Sequence, residues 1–487
     1  MKLADLLDRL GQEGVLFEVV GPIEDVTVDC ITDDSRDLTE NSVFAITALS
    51  IQHLESAIVR KPALIIAPRS MLDSPELRKS SHSAILCGSK PARSLPEWIL
   101  ARIAGIFYEH PDHELQITAV TGTNGKTSIS RMIYHAWKQS GLSCGVIGTL
   151  GATLFQNGME TQIQTGYTTP RSYQLLALLR KMKDAGIEKV ALEASSEALA
   201  LGRLETIQLH QALFCGLSVD HLDYHRTMQR YFMAKVHLFT LLARSQGQAI
   251  IQDLSKTEND AYSRKLQRYI KRNGTKIQVV DEFQQFRLNV PVDFNQRNAN
   301  LAWKASGLPF DDSLFESMPD VPGRMNRIQF SDSVDAIIDY AHTPDALYRI
   351  LWQLRARGYD RLYCVFGCGG NRDPSKRVMM GRAALELSTH VIVTDDNPRK
   401  EDPSSIRQAI LKARDLPDLI SSAEIQEIAD RRQAIRHALL SAQKSQKGHY
   451  CVLIAGKGHE DYQIYGTEKR HFSDQEVVME LKQELSN

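Results

Sequence analysis

The chain has 487 residues, 43% of them hydrophobic, enough for about three domains with real cores. Its 58 basic and 59 acidic side chains leave a formal net charge of −1, which offers no global attraction to nucleic acid or an anionic membrane. The seven cysteines (Cys30, Cys87, Cys144, Cys215, Cys364, Cys368 and Cys451) are scattered without a C-x-x-C pair, which fits reduced thiols rather than a zinc or disulfide framework. The start, Met1-Lys2-Leu3-Ala4-Asp5, has an early acid and no signal-peptide core. No apolar run reaches the length of a membrane span. A cytoplasmic monomer is expected.

Residues 1–112 read as a first segment, in which β-like runs at 26–31, 42–46 and 63–67 alternate with helix-like stretches. It ends at His110-Pro111-Asp112-His113, which reads as a linker. A second segment opens with the apolar run 117–120. Strands are predicted at 189–192, 211–217 and 248–251, and helices at 128–140, 173–185 and 231–243. The polar stretch 255–276 reads as a surface helix with loops. After Val321-Pro322-Gly323-Arg324 a third segment repeats the rhythm, with strands predicted at 336–338, 362–366, 390–394 and 450–454. Strands alternating with helices predict an α/β fold built on mainly parallel sheets.

The sharpest signal is Thr121-Gly122-Thr123-Asn124-Gly125-Lys126-Thr127-Ser128, directly after a predicted strand and before a predicted helix. Such a turn aims backbone N–H groups and a helix N-terminus at an anion. Lys126 would neutralise phosphate charge, and the Thr127 hydroxyl would reach a magnesium ion. The long form of the motif wants Gly at position 120, where Val120 stands. The shorter Gly122-x-x-Gly125-Lys126-Thr127 remains and predicts a nucleoside triphosphate site.

Ligands in open α/β sheets bind at the carboxyl ends of strands, so the polar clusters there are the candidates for chemistry. Glu193 and His221 each follow a predicted strand and are a carboxylate and an imidazole suited to a magnesium ion beside phosphates. The third segment carries Gly367-Cys368-Gly369-Gly370-Asn371-Arg372, Asp396-Asn397-Pro398-Arg399 and Gly456-Lys457-Gly458-His459-Glu460. Arginines grip carboxylates and acids hold ammonium groups, so together these suit a zwitterionic amino acid.

Taken in chain order, the phosphate loop, Glu193-x-Ser195-Ser196, Asp220-His221-Leu222-Asp223, Ala234-Lys235, Phe294-Asn295-x-x-Asn298, Gly323-Arg324, Asp339-Tyr340-Ala341-His342 and Gly456-Lys457-Gly458-His459-Glu460 resemble the motifs of the Mur ligases. These are ATP-dependent amino-acid ligases of peptidoglycan synthesis. The resemblance spans nearly the whole chain. It implies an N-terminal α/β UDP-binding domain (1–112), a central P-loop ATPase domain (113–326) and a C-terminal Rossmann-like domain that brings in the amino acid (327–487).

The resemblance also implies roles. Gly122, Thr123, Asn124, Gly125, Lys126, Thr127 and Ser128, with Asn298, Arg324 and Asp339, would hold ATP. Ser35, Thr168, Thr169, Ser195 and Arg203 would contact a UDP-sugar dipeptide, UDP-MurNAc-L-Ala-D-Glu. Lys235 matches the family's carbamylated lysine, whose CO2-derived carboxylate would join Thr127, Glu193 and His221 around Mg2+. Asp396-Asn397-Pro398-Arg399 is similar to the motif of the members that add meso-diaminopimelate, with Arg372, Gly456 and Glu460 as further amino-acid contacts. Lysine-adding relatives lack the arginine. The chain departs from the pattern at Glu197 (usually His), Gly216 (often Asn), Val292-Asp293 (where a Gly is usual) and the short stretch around Ile51-Gln52-His53-Leu54. Alternatives are a lysine-adding homologue, a folate polyglutamate ligase and a non-catalytic ATP-binding regulator.

Overall fold

The computed structural model describes residues 1–47, 50–78, 84–88, 96–252, 260–280, 283–289, 292–444 and 448–486. The chain forms two compact units. The first comprises Met1–Gly216, Phe232–Glu282 and Leu301–Pro309, and the second Leu217–Tyr231, Phe283–Asn300 and Phe310–Asn487.

The first unit holds two sheets. The five-stranded sheet runs Phe17–Val20, Ala84–Gly88, Leu64–Ile66, Ser42–Ala45, Cys30–Thr32, and is parallel except at its first strand. The run predicted at 26–31 joins the sheet only at Cys30–Thr32. Upstream of it, the Val26 carbonyl accepts from Leu3 and the Val28 N–H donates to Met1, so that backbone pairs with the N-terminus instead.

The eight-stranded sheet runs Lys276–Val280, Gln248–Gln252, Gln211–Phe214, Gln116–Thr121, Lys189–Glu193, Cys144–Gly148, Gly151–Gln156, Met159–Ile163. Its first six strands are parallel and the last two close antiparallel hairpins. The strand entering the phosphate loop is buried from Ile117 onward, as expected of a strand covered on both faces. The predicted helices lie within or against Lys126–Gln139, Ser172–Asp184 and Met228–Arg244. The hairpin strand Met159–Ile163 is almost wholly exposed, and Glu160, Thr161 and Gln162 separate its two apolar residues, so it carries no apolar run to reveal it. Of the polar stretch at 255–276, Asp260–Arg272 is helical, while 255–259 lie outside the described residues.

The second unit is built on the order Asn326–Ser331, Val334–Asp339, Tyr450–Ala455, Arg361–Phe366, His390–Val393, Glu424–Glu427, parallel except at its first strand. Both faces are covered, and the strand residues alternate between two cores. Cys451, Leu453 and Ala455 pack with the residues of Pro344–Arg355, Lys376–Leu387 and Pro403–Leu411, while Tyr450, Val452 and Ile454 pack with those of Arg431–Lys444 and Asp474–Ser486. Tyr450–Ala455 is the last of these strands in the chain, yet it inserts between the second and third. This reversal creates a switch point, at whose carboxyl edge loops are free to gather a ligand. Among the described residues no helix is long and apolar enough to cross a membrane.

One buried ion pair fixes the helices behind that edge. Arg431 and Asp474 are both sealed from solvent; the guanidinium donates to the two carboxylate oxygens at 2.7 and 2.8 Å and to the Ala455 carbonyl at 3.0 Å. Asp474→Leu strands a buried cation and is expected to destabilise the chain by about 3–5 kcal/mol, whereas Arg431→Leu combined with Asp474→Leu should cost less than that single change. Urea denaturation of both variants checks this.

Candidate active site

The phosphate loop leaves Thr121 and turns into the helix Lys126–Gln139 through Gly125, which has left-handed backbone at φ 91. Gly122 lies so close to its neighbour that an added Cβ would overlap the Cys215 sulfur and sit 3.1 Å from the Gly216 carbonyl. Lys126 Nζ folds back and donates to the carbonyls of Gly122 (3.0 Å) and Thr123 (2.9 Å). Lys235, on the long helix Met228–Arg244, is 1% exposed and donates to the same Gly122 carbonyl at 2.7 Å. Composition alone would make Lys235 a solvated surface lysine; the fold buries it against the phosphate loop.

Glu193 ends the neighbouring strand and is 1% exposed. Its Oε2 accepts from the Thr127 hydroxyl at 3.0 Å and the Thr149 hydroxyl at 3.1 Å, and its Oε1 from the Thr149 N–H at 3.0 Å. A carboxylate has about four lone-pair positions, so one remains. Gly148 makes room for this carboxylate, since a Cβ there would overlap Oε1.

The residues expected to hold the sugar-peptide surround the same carboxylate. Thr149 and Thr168 hydroxyls lie 3.1 Å apart, the Thr169 hydroxyl donates to the Glu193 carbonyl at 2.7 Å and accepts from the Ser195 N–H at 3.0 Å, and Arg203 donates to the Thr169 carbonyl at 2.7 Å. Ser195 also caps the helix Ser196–Ala200. Ser35 is buried in the short turn Ser35–Asp37. Next to that turn, Asp33 pairs with Arg171, which also donates to the Tyr167 hydroxyl at 3.0 Å. Sequence reasoning missed Arg171, Gly148 and Thr149. Only Arg171 had a signal, as the neighbour of Tyr167-Thr168-Thr169-Pro170.

In the second unit, three loops meet at the switch point. Asp396 is buried, and its Oδ1 has no hydrogen-bond partner. Lys457 is fully buried, with Nζ 3.8 Å from Asp396 and 3.4 Å from Glu460. Burial first, and then the Asp396 charge, push the Glu460 carboxyl up. Asn397 donates to Glu460 at 2.9 Å and accepts from the Ile464 N–H at 3.0 Å. Arg399, which follows Pro398, has φ 53; its backbone is held by Ile464 and Gly466, and its guanidinium donates to the Gly370 carbonyl at 3.0 Å. Arg372 is exposed and pairs with Asp223 at 3.2 Å. The sequence pattern suggested an external ammonium for Asp396 and Glu460; the structure puts the chain's own Lys457 beside them.

On the same edge, Asp339 accepts from the backbone of Met325 (2.8 Å) and Ala341 (2.7 Å), and burial raises its carboxyl. Arg324 stacks 4.6 Å over the Tyr340 ring, which neighbours His459 and Gly458. Asn298 is half-buried on the helix Asp293–Ser306. His221 has φ 54 and sits 3.3 Å from Asp220, which also faces His342 at 3.8 Å. Burial opposes ionisation of Asp220, but the His342, His221 and Lys376 charges outweigh it and hold the carboxyl low.

A lysine-capped phosphate loop at the carboxyl edge of a parallel sheet, together with a second α/β unit whose strand ends gather acids, arginine and lysine, defines an ATP-dependent amide-forming ligase. The chain belongs to the Mur ligase family. Residues 120–305 match the Mur ligase middle domain, and residues 323–458 match the Mur ligase glutamate ligase domain. It is 36% identical to the UDP-N-acetylmuramoyl-L-alanyl-D-glutamate–2,6-diaminopimelate ligase of Leptospira borgpetersenii serovar Hardjo-bovis, over 98% of each chain. A solved structure of an enzyme of that name is similar at TM-score 0.57 and 27% identity, covering 96% of this chain and 98% of its own. A folylpolyglutamate synthase from Mycobacterium tuberculosis shares the fold at TM-score 0.56 and 16% identity, covering 72% of this chain and 91% of its own.

The Lys457 cluster carries a pH signature. Glu460 has its folded pKa raised, so its ionised form weakens the fold as pH rises above the ordinary carboxylate range, and that penalty vanishes below it. Lys457→Met removes the compensating cation and is expected to cost about 3–5 kcal/mol at pH 7, and distinctly less at pH 4.5. Urea denaturation at the two pH values reads both.

Proposed function

We propose that the chain joins meso-diaminopimelate to the D-glutamate carboxylate of UDP-MurNAc-L-Ala-D-Glu, using ATP, in peptidoglycan precursor synthesis. The observation that carries this reading is the strand-end cluster of Asp396, Asn397, Arg399, Lys457 and Glu460. It offers acids for an amino acid's ammonium groups and a guanidinium for a carboxylate. Full-length similarity to relatives named for diaminopimelate supports the same substrate.

A carboxylate is a poor electrophile, and ATP supplies the remedy. The D-glutamate oxygen attacks the γ-phosphorus, the bond to ADP breaks, and the product is an acyl phosphate. Lys126 and the N–H groups of residues 122–128 would stabilise charge on the moving phosphoryl. Lys126 is already tethered to the loop, so it needs only to exchange carbonyl partners for phosphate oxygens. Arg324, Asp339 and Asn298 are assigned to the nucleotide, and Ser35, Thr168, Thr169, Ser195 and Arg203 to the UDP-sugar dipeptide. The amine of diaminopimelate then attacks the acyl carbon, a tetrahedral intermediate forms, and phosphate leaves.

Magnesium fits the donors present. Thr127 and Glu193 are hard oxygen ligands one hydrogen bond apart, and Glu193 keeps a lone-pair position open. When bound, the ion would neutralise phosphate charge. Lys235 supports carbamylation by its position, because its amine and that of Lys126 converge on one carbonyl. A carbamate there would turn a crowded cation into a ligand. His221, beside Asp220, is the proposed imidazole contribution to metal binding.

The folate reading is disfavoured because the folylpolyglutamate synthase resembles only 72% of this chain, whereas the Leptospira relative aligns with 98% of it. The deciding measurement is phosphate release with ATP, magnesium and the UDP-sugar dipeptide, comparing meso-diaminopimelate with L-lysine. Release dependent on diaminopimelate, with product heavier by one such residue, is expected; release with lysine alone would overturn the specificity. Arg399→Ala should weaken transition-state stabilisation by about 1.5–3 kcal/mol, read as kcat/KM for diaminopimelate, with the thermal midpoint as control.

A further inference from the structure

The segment joining the helix Pro96–Phe107 to the phosphate-loop strand carries a cluster that ligation does not use. Glu109 and His110 both adopt left-handed backbone, at φ 58 and 46, a conformation costly for residues other than glycine. A short turn, Pro111–His113, follows. The path brings together His110, Asp112 and His113, with one ligand atom from each within 4.8 Å of the other two. Among the described residues this is the one such group of three His, Cys, Asp or Glu side chains. The two imidazoles stack at 4.9 Å and 15°.

Two of the ligand-type atoms are buried without a partner: Nδ1 of His110 and Oδ1 of Asp112. Asp112 is 1% exposed, so its bare oxygen is expensive to keep. The opposite atom of each group is engaged. Asp112 Oδ2 accepts the Gln208 N–H at 2.7 Å and faces His113 Nε2 at 3.8 Å, and His110 Nε2 lies 2.8 Å from Glu13 Oε1. A carboxylate at Nε2 fixes the ring, as the partners of metal-binding histidines do, and an ion at Nδ1 would take the place of a proton there. Arg102 lies 3.5 Å from the other Glu13 oxygen and balances that charge. Gly105 makes room for the His110 ring, since a Cβ there would sit 2.9 Å from its Cε1 and 3.2 Å from Nδ1. His113 is exposed, which gives an ion access and leaves a position for water.

We propose that His110, Asp112 and His113 bind a transition-metal dication, zinc foremost, as a clamp on the segment leading into the phosphate loop. Two imidazoles and one carboxylate suit zinc, while magnesium and calcium favour oxygen-only sets. The bound ion would tie the end of the N-terminal helix, through Glu13, and the Gln208 loop to this linker.

The test uses the full-length chain, stripped with a chelator and returned to buffer containing millimolar magnesium to fill hard-oxygen sites. Zinc is titrated in competition with a chromogenic chelator, and cobalt is added separately to read its visible ligand-field bands. One equivalent of zinc, a rise in thermal midpoint and visible cobalt bands are expected. His113→Ala alters an exposed side chain, so the variant should fold, as circular dichroism would verify; it should weaken zinc about tenfold or more and abolish the thermal shift. Asp112→Asn should likewise weaken zinc and lose the cobalt bands. Absence of stoichiometric zinc, or affinity that falls less than tenfold in His113→Ala, overturns the proposal.

Discussion

One carbonyl oxygen organises the phosphate-binding end of the first unit. Lys126 and Lys235 both donate to the oxygen of Gly122, at 3.0 and 2.7 Å, so their nitrogens are no more than about 5.7 Å apart. Two ammonium charges at that separation repel by about 3 kcal/mol at an effective dielectric of 20. The arrangement is therefore poised for an anion. A phosphate group drawing Lys126 away, a carbamate replacing the charge on Lys235, or both, would relieve it. The buried Glu193 on the adjacent strand adds a negative charge that offsets these cations, and Thr127 connects it to the helix that follows the loop.

The second unit uses the same device with the signs reversed. Asp396 and Glu460 converge at the carboxyl edge of its sheet, and Lys457 stands between them without saturating either. One Asp396 oxygen stays bare, and Glu460 has its carboxyl pushed up by burial and by its neighbour. An ammonium group arriving there would complete a charge balance that the chain leaves unfinished. Both edges thus store electrostatic imbalance, held by strands whose burial on both faces leaves them no freedom to relax it.

The elements that position these edges are legible in the sequence wherever burial writes an apolar run. The strands at 189–192, 248–251, 362–366 and 450–454 are of this kind, as are the amphipathic helices that cover them. The hairpin strand at Met159–Ile163 is not, because this edge strand is almost wholly exposed and Glu160, Thr161 and Gln162 separate its two apolar residues. The run at 26–31 misleads for another reason: an N-terminal segment captures its hydrogen bonds, which no local pattern announces. At the site, Gly122, Lys126, Thr127 and Glu193 are readable from spacing, whereas Lys235 needed the family pattern. Its neighbours in sequence look like those of a surface lysine, and only the tertiary fold seals it against Gly122.

Thr149 and Gly148 show what spacing cannot carry. Neither belongs to a motif, yet one supplies two of the three hydrogen bonds on Glu193 and the other yields the volume that its carboxylate fills. Their roles follow from strand order. The strand Cys144–Gly148 lies beside Lys189–Glu193 only because the chain runs out to the hairpins and returns to insert between strands already laid down. The same return in the second unit sets Gly456 and Lys457 beside Asp396. In both units the residues that complete the charge pattern arrive by a late strand inserted at the switch point, so the chemistry at each edge depends on topology as much as on the motifs.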